Sequence, residues 1–433
     1  MAKTKKTRTF PVPTTTRPYN ALYVAIFAVA SVYAGWLMRV ETGIKGIPVN
    51  FVEQVEARVY PDGTPMRTRY TGIEAVDSGL LFLVAAFVAG PLGWDEGVRV
   101  QQLHFLVQFF AVIAVWNVEA CRTRNSWKLI SFTGLFVLFY QTIAGAAIIP
   151  LYYLSYVLIS KPDAYYVDGR YVDLPYARSL LFSISIGYLL PTLAMYVPTL
   201  IAPYAPHLLA YIPDQQLGTY IPTQLAPFVP GLLSINVHDA LAPWVLNLGA
   251  PTTEFLVFLW QPSPGFVNML LFGASLVIPA TRSRHAKAPE DVKHLKVVYK
   301  AAGVVCAINH LATLYICATA ASPQLSLAYV FLPDRATWTQ STTAGLHYIF
   351  QVDWWGCFVP TLLWAWIAVY DVHRLLLGSA GAAQLVKWAM YIVGLTVALG
   401  PGGMLAVVWS WREDRLVMIE SGVRGTVQKP KTE

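Results

Sequence analysis

The residues of this chain best suited to chemistry are a few acidic side chains inside apolar stretches. The most isolated is Asp353, which lies in the apolar stretch 345–370 with no basic residue within one helical turn. A helix of that length can cross a bilayer. A carboxyl group deprived of solvent favours its protonated form, so we expect Asp353 to hold a proton near neutral pH. Such an acid could protonate an alkene or an epoxide.

Helical spacing places Asp353 on an apolar and partly aromatic face. Steps of three and four residues align it with Ile349, Phe350, Cys357, Pro360 and Trp364. Aromatic rings can stabilise a carbocation while they exclude water. The alternative is that Asp353 only forms a hydrogen bond to a neighbouring helix and holds a bundle together.

Other polar residues at predicted membrane depth allow either a functional or a structural reading. Asp77 and Glu74 begin an apolar stretch, where two acids could simply complement a helix dipole. Glu119 and Arg122 are three residues apart and could form an ion pair at the membrane edge. His310, in the middle of another stretch, could be a buried hydrogen-bonding residue or a base.

Sequence signatures of several well-known enzyme classes are missing. We find no P-loop, no dinucleotide-binding glycine pattern, no His-Glu-x-x-His and no Gly-x-Ser-x-Gly. Paired Asp-rich clusters, which would hold the Mg²⁺ ions that a diphosphate leaving group needs, are also missing, and this argues against a prenyltransferase. The residues therefore carry no signature of a metal or cofactor site.

Composition indicates that these residues lie in a membrane protein. Of the 433 residues, 56% are hydrophobic and only 13% charged, and the mean hydropathy is +0.49. Apolar runs near twenty residues long recur along the chain, which predicts an all-α, polytopic helical bundle. The net charge of +7 is concentrated in tails and short loops, which fits membrane orientation better than nucleic-acid binding.

We predict about nine transmembrane helices within a single domain, 20–411. A basic tail precedes it (1–19) and a polar tail follows it (412–433). The predicted spans are 20–38, 73–94, 102–120, 128–159 with a break at Pro150, 179–202, 265–280, 298–320, 345–370 and 386–411. The proline-rich segment 203–264 cannot be one straight helix, so we expect short interfacial or re-entrant helices that cap one mouth of the bundle.

Basic residues predict the orientation of the bundle. The loop 281–300 carries six lysines and arginines, and the tail 1–19 is also basic. Both are therefore expected in the cytosol, whereas an odd number of spans would place the C-terminus on the far side.

Short motifs in order along the chain resemble one family, the membrane-bound fungal meroterpenoid cyclases of the ascofuranone and macrophorin type. They are YTGIEAVD (70–77), EACR (119–122), PLYY (150–153), GYLLP (187–191), LWQP (259–262), QVD (351–353), LWA (363–365), GP (400–401) and WRE (411–413). Together they cover roughly 70–415.

The resemblance implies a multi-pass, metal-free terpene cyclase of secondary metabolism, in the isomerase or lyase class, in the endoplasmic reticulum membrane. Its substrate would be a prenyl chain, often farnesyl, on an aromatic or quinone-like head, and protonation of a terminal epoxide or alkene would start cyclisation. By position, the acid candidates are Asp353, Glu119 and Asp77. The expected substrate contacts are Phe350, Trp354, Trp364, Tyr140, His310 and Arg122. A proton-coupled transporter or a receptor that uses Asp353 as a ligand site remains the alternative.

Overall fold

The computed structural model describes residues 15–246, 249–278 and 290–422. Several residues on which the predicted orientation depends lie outside these ranges. They are Lys3, Lys5, Lys6, Arg8, Arg282, Arg284, Lys287, Arg424, Lys429 and Lys431. Within the described ranges the chain is helical and contains only isolated β-bridges, with no β-strand.

Twelve helices of ten or more residues form the described architecture. They are α1 (Asn20–Gly35), α2 (Glu74–Phe87), α3 (Glu96–Ala120), α4 (Thr133–Thr142), α5 (Gly145–Ile159), α6 (Leu174–Ile184), α7 (Val237–Leu246), α8 (Ala250–Trp260), α9 (Ser263–Val277), α10 (Glu290–Thr319), α11 (Thr342–Leu377) and α12 (Ala382–Glu420). Two of them continue through π-helical turns: α1 extends to Lys45 and α6 extends to Ala194. In the proline-rich segment the described chain forms short helical pieces before α7 and α8.

The predicted number of nine spans is not confirmed. Six described helices are long and apolar enough to cross a membrane, or seven if α8 and α9, which meet at a bend of 53°, form one broken span. The predicted second span is interrupted because α2 ends at Phe87 after 14 residues, short of the roughly 20 that a bilayer requires. The predicted fourth span is also two helices, but Pro150 lies inside α5 and the break is at residues 143–144.

A sharp turn at Gly400 folds the last helix back on itself. Gly400 has φ 78° and ψ 164°, a conformation that side chains disfavour, and the next residue, Pro401, has no N–H to donate. The rings of Trp388 and Trp411 lie 5.9 Å apart, whereas 23 residues of straight helix would separate them by about 34 Å.

Because of this turn, both ends of the described chain lie at the same end of the bundle, contrary to the expected far-side C-terminus. Near the end of α12, Asp414 pairs with Lys296 in the first turns of α10. Arg17, just before α1, forms an ion pair with Asp371 late in α11. The ring of His373, two residues after Asp371, stacks on Trp411 with centroids 5.7 Å apart, so the terminal regions share a side with the start of α10. The last helix also continues past the predicted domain boundary at residue 411, up to residue 420.

The centre of the bundle is an aromatic core around α3. Every residue of α3 from His104 to Glu119 is buried, as expected for a helix that is apolar on all sides. Rings from other helices pack there: Tyr153 stacks on Trp364, with centroids 4.5 Å apart, and Trp364 packs at a tilt against Trp409, with centroids 4.1 Å apart. This core separates the two ends of the bundle.

Candidate active site

Asp353 in α11 lies beside the break between α4 and α5. The chain is extended at Ala144, with φ 169° and ψ 145°, and α5 begins at Gly145. N–H groups in the first turn of a helix have no intrahelical partner. The N–H of Ala146 donates to Oδ1 of Asp353 across 2.5 Å. Asp353 thus accepts a hydrogen bond from one of the free N–H groups at the N-terminus of a helix that is distant in sequence.

Glycine at position 145 permits this approach. A Cβ atom there would lie 2.8 Å from Sγ of Cys357, 3.2 Å from Oδ1 of Asp353 and 3.3 Å from Oδ2. A contact at 2.8 Å requires something to move, so a side chain at residue 145 would displace the side chains of Cys357 and Asp353 or push α5 away from α11.

The remaining contacts of the Asp353 carboxyl group are few. The Cys357 thiol lies 3.9 Å from Oδ1. Within the described ranges, no lysine or arginine nitrogen is within 4.0 Å of the carboxylate, and Oδ2 has no hydrogen-bond partner. Asp353 is therefore held through one oxygen and has the other available.

A cavity of about 870 Å³ borders Asp353. Most of its lining is apolar or aromatic, including Leu80, Leu83, Phe87, Tyr140, Leu346, Ile349 and Phe350, whereas Arg39, Asn50, Glu53 and Gln141 add polar groups. A much smaller hollow of about 30 Å³, also lined by Asp353 and Tyr140, continues towards α3. Among the residues that the structure describes, no group of three His, Cys, Asp or Glu side chains could hold a metal ion.

Two of the predicted substrate contacts lie at this cavity together with Asp353. Phe350 lines it and meets Phe87 edge-on, with ring centroids 5.2 Å apart. Tyr140 lines both the cavity and the small hollow, and its buried hydroxyl group has no hydrogen-bond partner in the described part of the chain. A ligand in the cavity could therefore contact the rings of Phe350 and Tyr140 beside the acid.

Trp354 and His310 are instead part of a buried hydrogen-bond chain outside the cavity. Nε2 of His310 lies 3.0 Å from the carbonyl oxygen of Val397, which can only accept, so this nitrogen carries the proton. Nδ1 of His310 then accepts from Nε2 of His104 at 3.1 Å, and Nδ1 of His104 accepts from the indole of Trp354 at 3.3 Å. The chain ends on a carbonyl group that Pro401, four residues on, leaves without a helical partner.

Trp364 also lies away from the cavity. It packs in the aromatic core between Tyr153 and Trp409 and lines neither the cavity nor the small hollow. Trp364 lies on the same face of α11 as Asp353, as the spacing predicts, but neighbouring helices cover it.

Glu119 and Arg122 meet at the opposite end of α3, in a buried network of charges. Oε1 of Glu119 accepts from Nε of Arg122 at 2.9 Å and from Nη1 of Arg412 at 2.9 Å. Nη2 of Arg122 in turn donates to Glu413 at 2.7 Å, and Glu413 also accepts from Arg170. Glu119 lines neither the Asp353 cavity nor the small hollow beside it, so the structure does not bring it to Asp353. Arg122 lines a separate cavity of about 600 Å³ at that end.

Asp77 holds the loop before α2. Its Oδ1 accepts from the N–H of Thr71 at 2.7 Å and from the Thr71 hydroxyl at 2.8 Å, and Oδ2 accepts from the N–H of Gly72 at 3.0 Å. These hydrogen bonds, led by the one from the Thr71 backbone, hold the pKa of Asp77 below its usual value. Asp77 does not line the cavity, although Val76 and Gly79 do.

No sequence pattern indicated that Arg39, Phe87 and Gly145 belong to this site. Arg39 lines the cavity from the π-helical extension of α1, and Phe87 closes it at the end of α2. An arginine just past an apolar stretch is typical of a membrane interface, so nothing in its local pattern indicated a site. Gly145, between two small apolar residues, was equally inconspicuous.

Comparison with known proteins links the whole bundle to one family. The CtvD domain model matches residues 20–220 and 205–418. The chain is 22% identical over 404 residues to the terpene cyclase ascI of Acremonium egyptiacum, a match that covers 90% of this chain and 91% of that protein. It is 23% identical over 387 residues to the terpene cyclase DEP1 of Alternaria brassicicola, with 82% and 89% covered.

A third relative is much longer than this chain. The chain is 26% identical over 315 residues to the FAD-dependent monooxygenase verC1 of Penicillium polonicum, but that match covers 70% of this chain and only 31% of the relative. No solved structure matches. The terpene cyclases among the relatives confirm the resemblance inferred from the ordered motifs. Since the family model spans nearly all of the helical bundle, this chain belongs to the CtvD domain family.

Proposed function

We propose that this protein is an integral-membrane terpene cyclase in which Asp353 protonates the terminal epoxide or alkene of a prenyl chain. The prenyl chain would be farnesyl, attached to an aromatic or quinone-like head. The observation that carries the proposal is a carboxyl group with one free oxygen at the wall of a large apolar cavity. Two relatives that match over about nine tenths of their length are named terpene cyclases, which supports the reaction class.

The hydrogen bonds of Asp353 indicate how it would donate a proton. Because Oδ1 already accepts from Ala146, the proton would be carried by Oδ2. Transfer of this proton to an epoxide oxygen, with cleavage of the C–O bond, or to an alkene carbon, with use of its π electrons, leaves a carbocation and an aspartate. The N–H of Ala146 and the N-terminus of α5 would then stabilise the carboxylate that is formed. Loss of a proton from the last cation ends the cascade and balances the charge.

The cavity suits a prenyl chain in size and in chemistry. A volume of about 870 Å³ lies within the range of roughly 300–1,000 Å³ common for small-molecule sites. The ring faces of Phe87, Phe350 and Tyr140 can stabilise successive cations, and apolar walls limit capture by water. The free hydroxyl group of Tyr140 would bind a polar group of the substrate.

The long relatives favour an epoxide over an alkene. In verC1, named as an FAD-dependent monooxygenase, the segment that matches this chain is 31% of the length. We infer that in such proteins the domain is joined to an oxidising part. An oxygenated prenyl terminus is therefore the better substrate to test first.

We further propose that the helical bundle, predicted as residues 20–411 and continued by α12 to residue 420, forms one domain in the endoplasmic reticulum membrane with the N-terminus in the cytosol. Basic residues of the tail 1–19 and the loop 281–300 support this orientation. Arg17 and Asp371 would mark the cytosolic end. Asp353 is 18 residues before Asp371, about 27 Å along a helix, so the cavity would lie in the lumenal half.

Aromatic packing favours this function over a transporter. A proton-coupled transporter would need a polar route from Asp353 to both surfaces. Between Asp353 and the Arg17–Asp371 end of α11, the side chains of Thr361 and Trp364 are buried against Tyr153. A cavity that borders one side of the bundle fits a cyclase that takes its substrate from the bilayer.

The test is turnover of a farnesylated phenol and of its terminal epoxide by microsomes that contain Asp353→Asn. The amide oxygen can still accept from Ala146, so we expect normal folding, whereas loss of the acid should lower turnover by about 10²–10⁴-fold. Glu74→Gln is the matched control, since Glu74 is an exposed acid that does not line the cavity. Turnover retained in Asp353→Asn would refute the proposed role.

A further inference from the structure

Arg39 contacts the other side of the same helix break that Asp353 contacts. It lies in a π-helical turn, Trp36–Glu41, a feature frequent at functional sites. Its Nε donates to the carbonyl oxygen of Ile143 at 2.6 Å and its Nη2 donates to that of Thr142 at 2.8 Å. These carbonyl groups end α4, so they have no further helical partner.

In a continuous helix, the N–H of Ala146 would donate to the carbonyl oxygen of Thr142, four residues before it. Here both groups have a different partner. Ala146 donates to Asp353, and Thr142 accepts from Arg39. The side chains of Asp353 and Arg39 therefore replace a single backbone hydrogen bond and keep α4 and α5 apart.

We propose that Arg39 is a positioning residue for Asp353, which keeps the chain unwound at residues 143–144 so that the N–H of Ala146 remains directed at Oδ1. The inference rests on the proposed function of Asp353 as the acid. Without Arg39, the carbonyl groups of Thr142 and Ile143 would lose their hydrogen-bond donors and would accept from N–H groups of α5 instead. Ala146 would then leave Asp353, and the free oxygen of the acid would lose its fixed direction.

The planar fork of arginine is essential to this role. Nε and Nη2 bind two successive carbonyl groups at once, whereas the ammonium group of lysine is a point charge without this geometry. Arg39→Lys keeps the charge and most of the length, and Arg39→Gln removes the charge. We expect both variants to lower kcat about 10- to 100-fold, as a misplaced catalytic group does, and to change KM little.

The matched control is Lys45→Gln. Lys45 lies six residues on in the same extended helix, and its side chain makes no hydrogen bond or ion pair among the residues that the structure describes. It removes a positive charge from the same end of the bundle without contact to the break. We expect wild-type kcat and KM for this variant.

Infrared spectroscopy of the purified protein gives a readout that does not depend on turnover. The carboxyl or carboxylate band of Asp353 is the one that disappears in Asp353→Asn. We expect this band to shift in both Arg39 variants and to remain in place in Lys45→Gln. If Arg39→Gln does not accumulate as folded protein, Arg39→Lys carries the test.

The outcomes separate this inference from the proposed function. Wild-type kcat and an unshifted band in Arg39→Lys would overturn the positioning role of Arg39, even if Asp353→Asn were inactive. Normal turnover in Asp353→Asn would overturn the proposed function instead, and the band would still report whether Arg39 positions Asp353.

Discussion

Replacement of Gly145 by alanine tests whether the close approach of α5 to α11 is what makes Asp353 an effective acid. The added Cβ would lie 2.8 Å from Sγ of Cys357 and within 3.3 Å of both carboxyl oxygens of Asp353. Ordinary non-bonded contacts lie at about 3.5–4.0 Å, so the side chains of Cys357 and Asp353, or the helix that carries them, would have to shift by about 1 Å. The hydrogen bond from Ala146, now 2.5 Å, would lengthen beyond the range in which such bonds are effective.

The expected effects on stability and on rate differ in size. Overpacking costs about 1–3 kcal/mol, but alanine gains up to about 1 kcal/mol over glycine in a helix. The net loss of stability in Gly145→Ala should therefore be small. A displacement of about 1 Å at a catalytic group, in contrast, can cost about 100-fold in rate. We therefore expect a folded protein with a large loss of kcat.

The assay is cyclisation of the epoxidised farnesyl phenol by detergent-solubilised protein, with a thermal melt measured in parallel. Gly273→Ala in α9 is the control, because a Cβ there meets no atom within 4 Å, and it should keep both activity and stability. Wild-type kcat in Gly145→Ala would refute the reasoning, since the acid would then work without its contact to α5. A collapse of the melting temperature without a loss of kcat in the folded fraction would refute it as well.

The remaining predictions separate structural from substrate-binding residues. Glu119→Gln leaves Arg122 and Arg412 without their shared carboxylate, so it should lower the free energy of unfolding by about 3–5 kcal/mol in a denaturant titration; an unchanged stability would contradict the ion-pair reading. Its kcat per folded molecule should equal that of the wild type. Tyr140→Phe removes a hydroxyl group that has no protein partner in the described ranges, so stability should stay within about 0.5 kcal/mol. If this hydroxyl binds substrate, kcat/KM should fall up to about tenfold, the value of one neutral hydrogen bond, and unaltered kinetics and products would exclude that contact.

Local sequence pattern was sufficient for the features that depend on one helix. The helix that contains Asp353 is where the apolar stretch predicts it, although it runs from Thr342 to Leu377, and the expected face brings Ile349, Phe350 and Asp353 to one cavity. The pairing of Glu119 with Arg122 also follows from spacing alone. In each case the deciding interaction lies within about one or two helical turns.

The position of the helix break could not be predicted in the same way. Pro150 is the obvious breaker, yet α5 continues through it, because neighbouring helices can compensate for the bond that a proline removes. The chain breaks instead at residues 143–144, where Arg39 and Asp353, from two other helices, bind the freed groups. A tertiary cause of this kind leaves no signal in the local sequence.

The apolar surroundings of Asp353 in the sequence therefore do not by themselves make it an effective acid. Apolar surroundings alone would make a carboxyl group reluctant to ionise, and an acid that never ionises cannot donate its proton. A backbone N–H at a helix N-terminus supplies stabilisation that grows when the carboxylate forms, which is the condition for lowering a barrier rather than only binding a ground state. On this reasoning, the catalytic unit is not the acid but the acid together with the break between α4 and α5, and variants at Arg39 or Gly145 should lose rate without a change to any atom of Asp353.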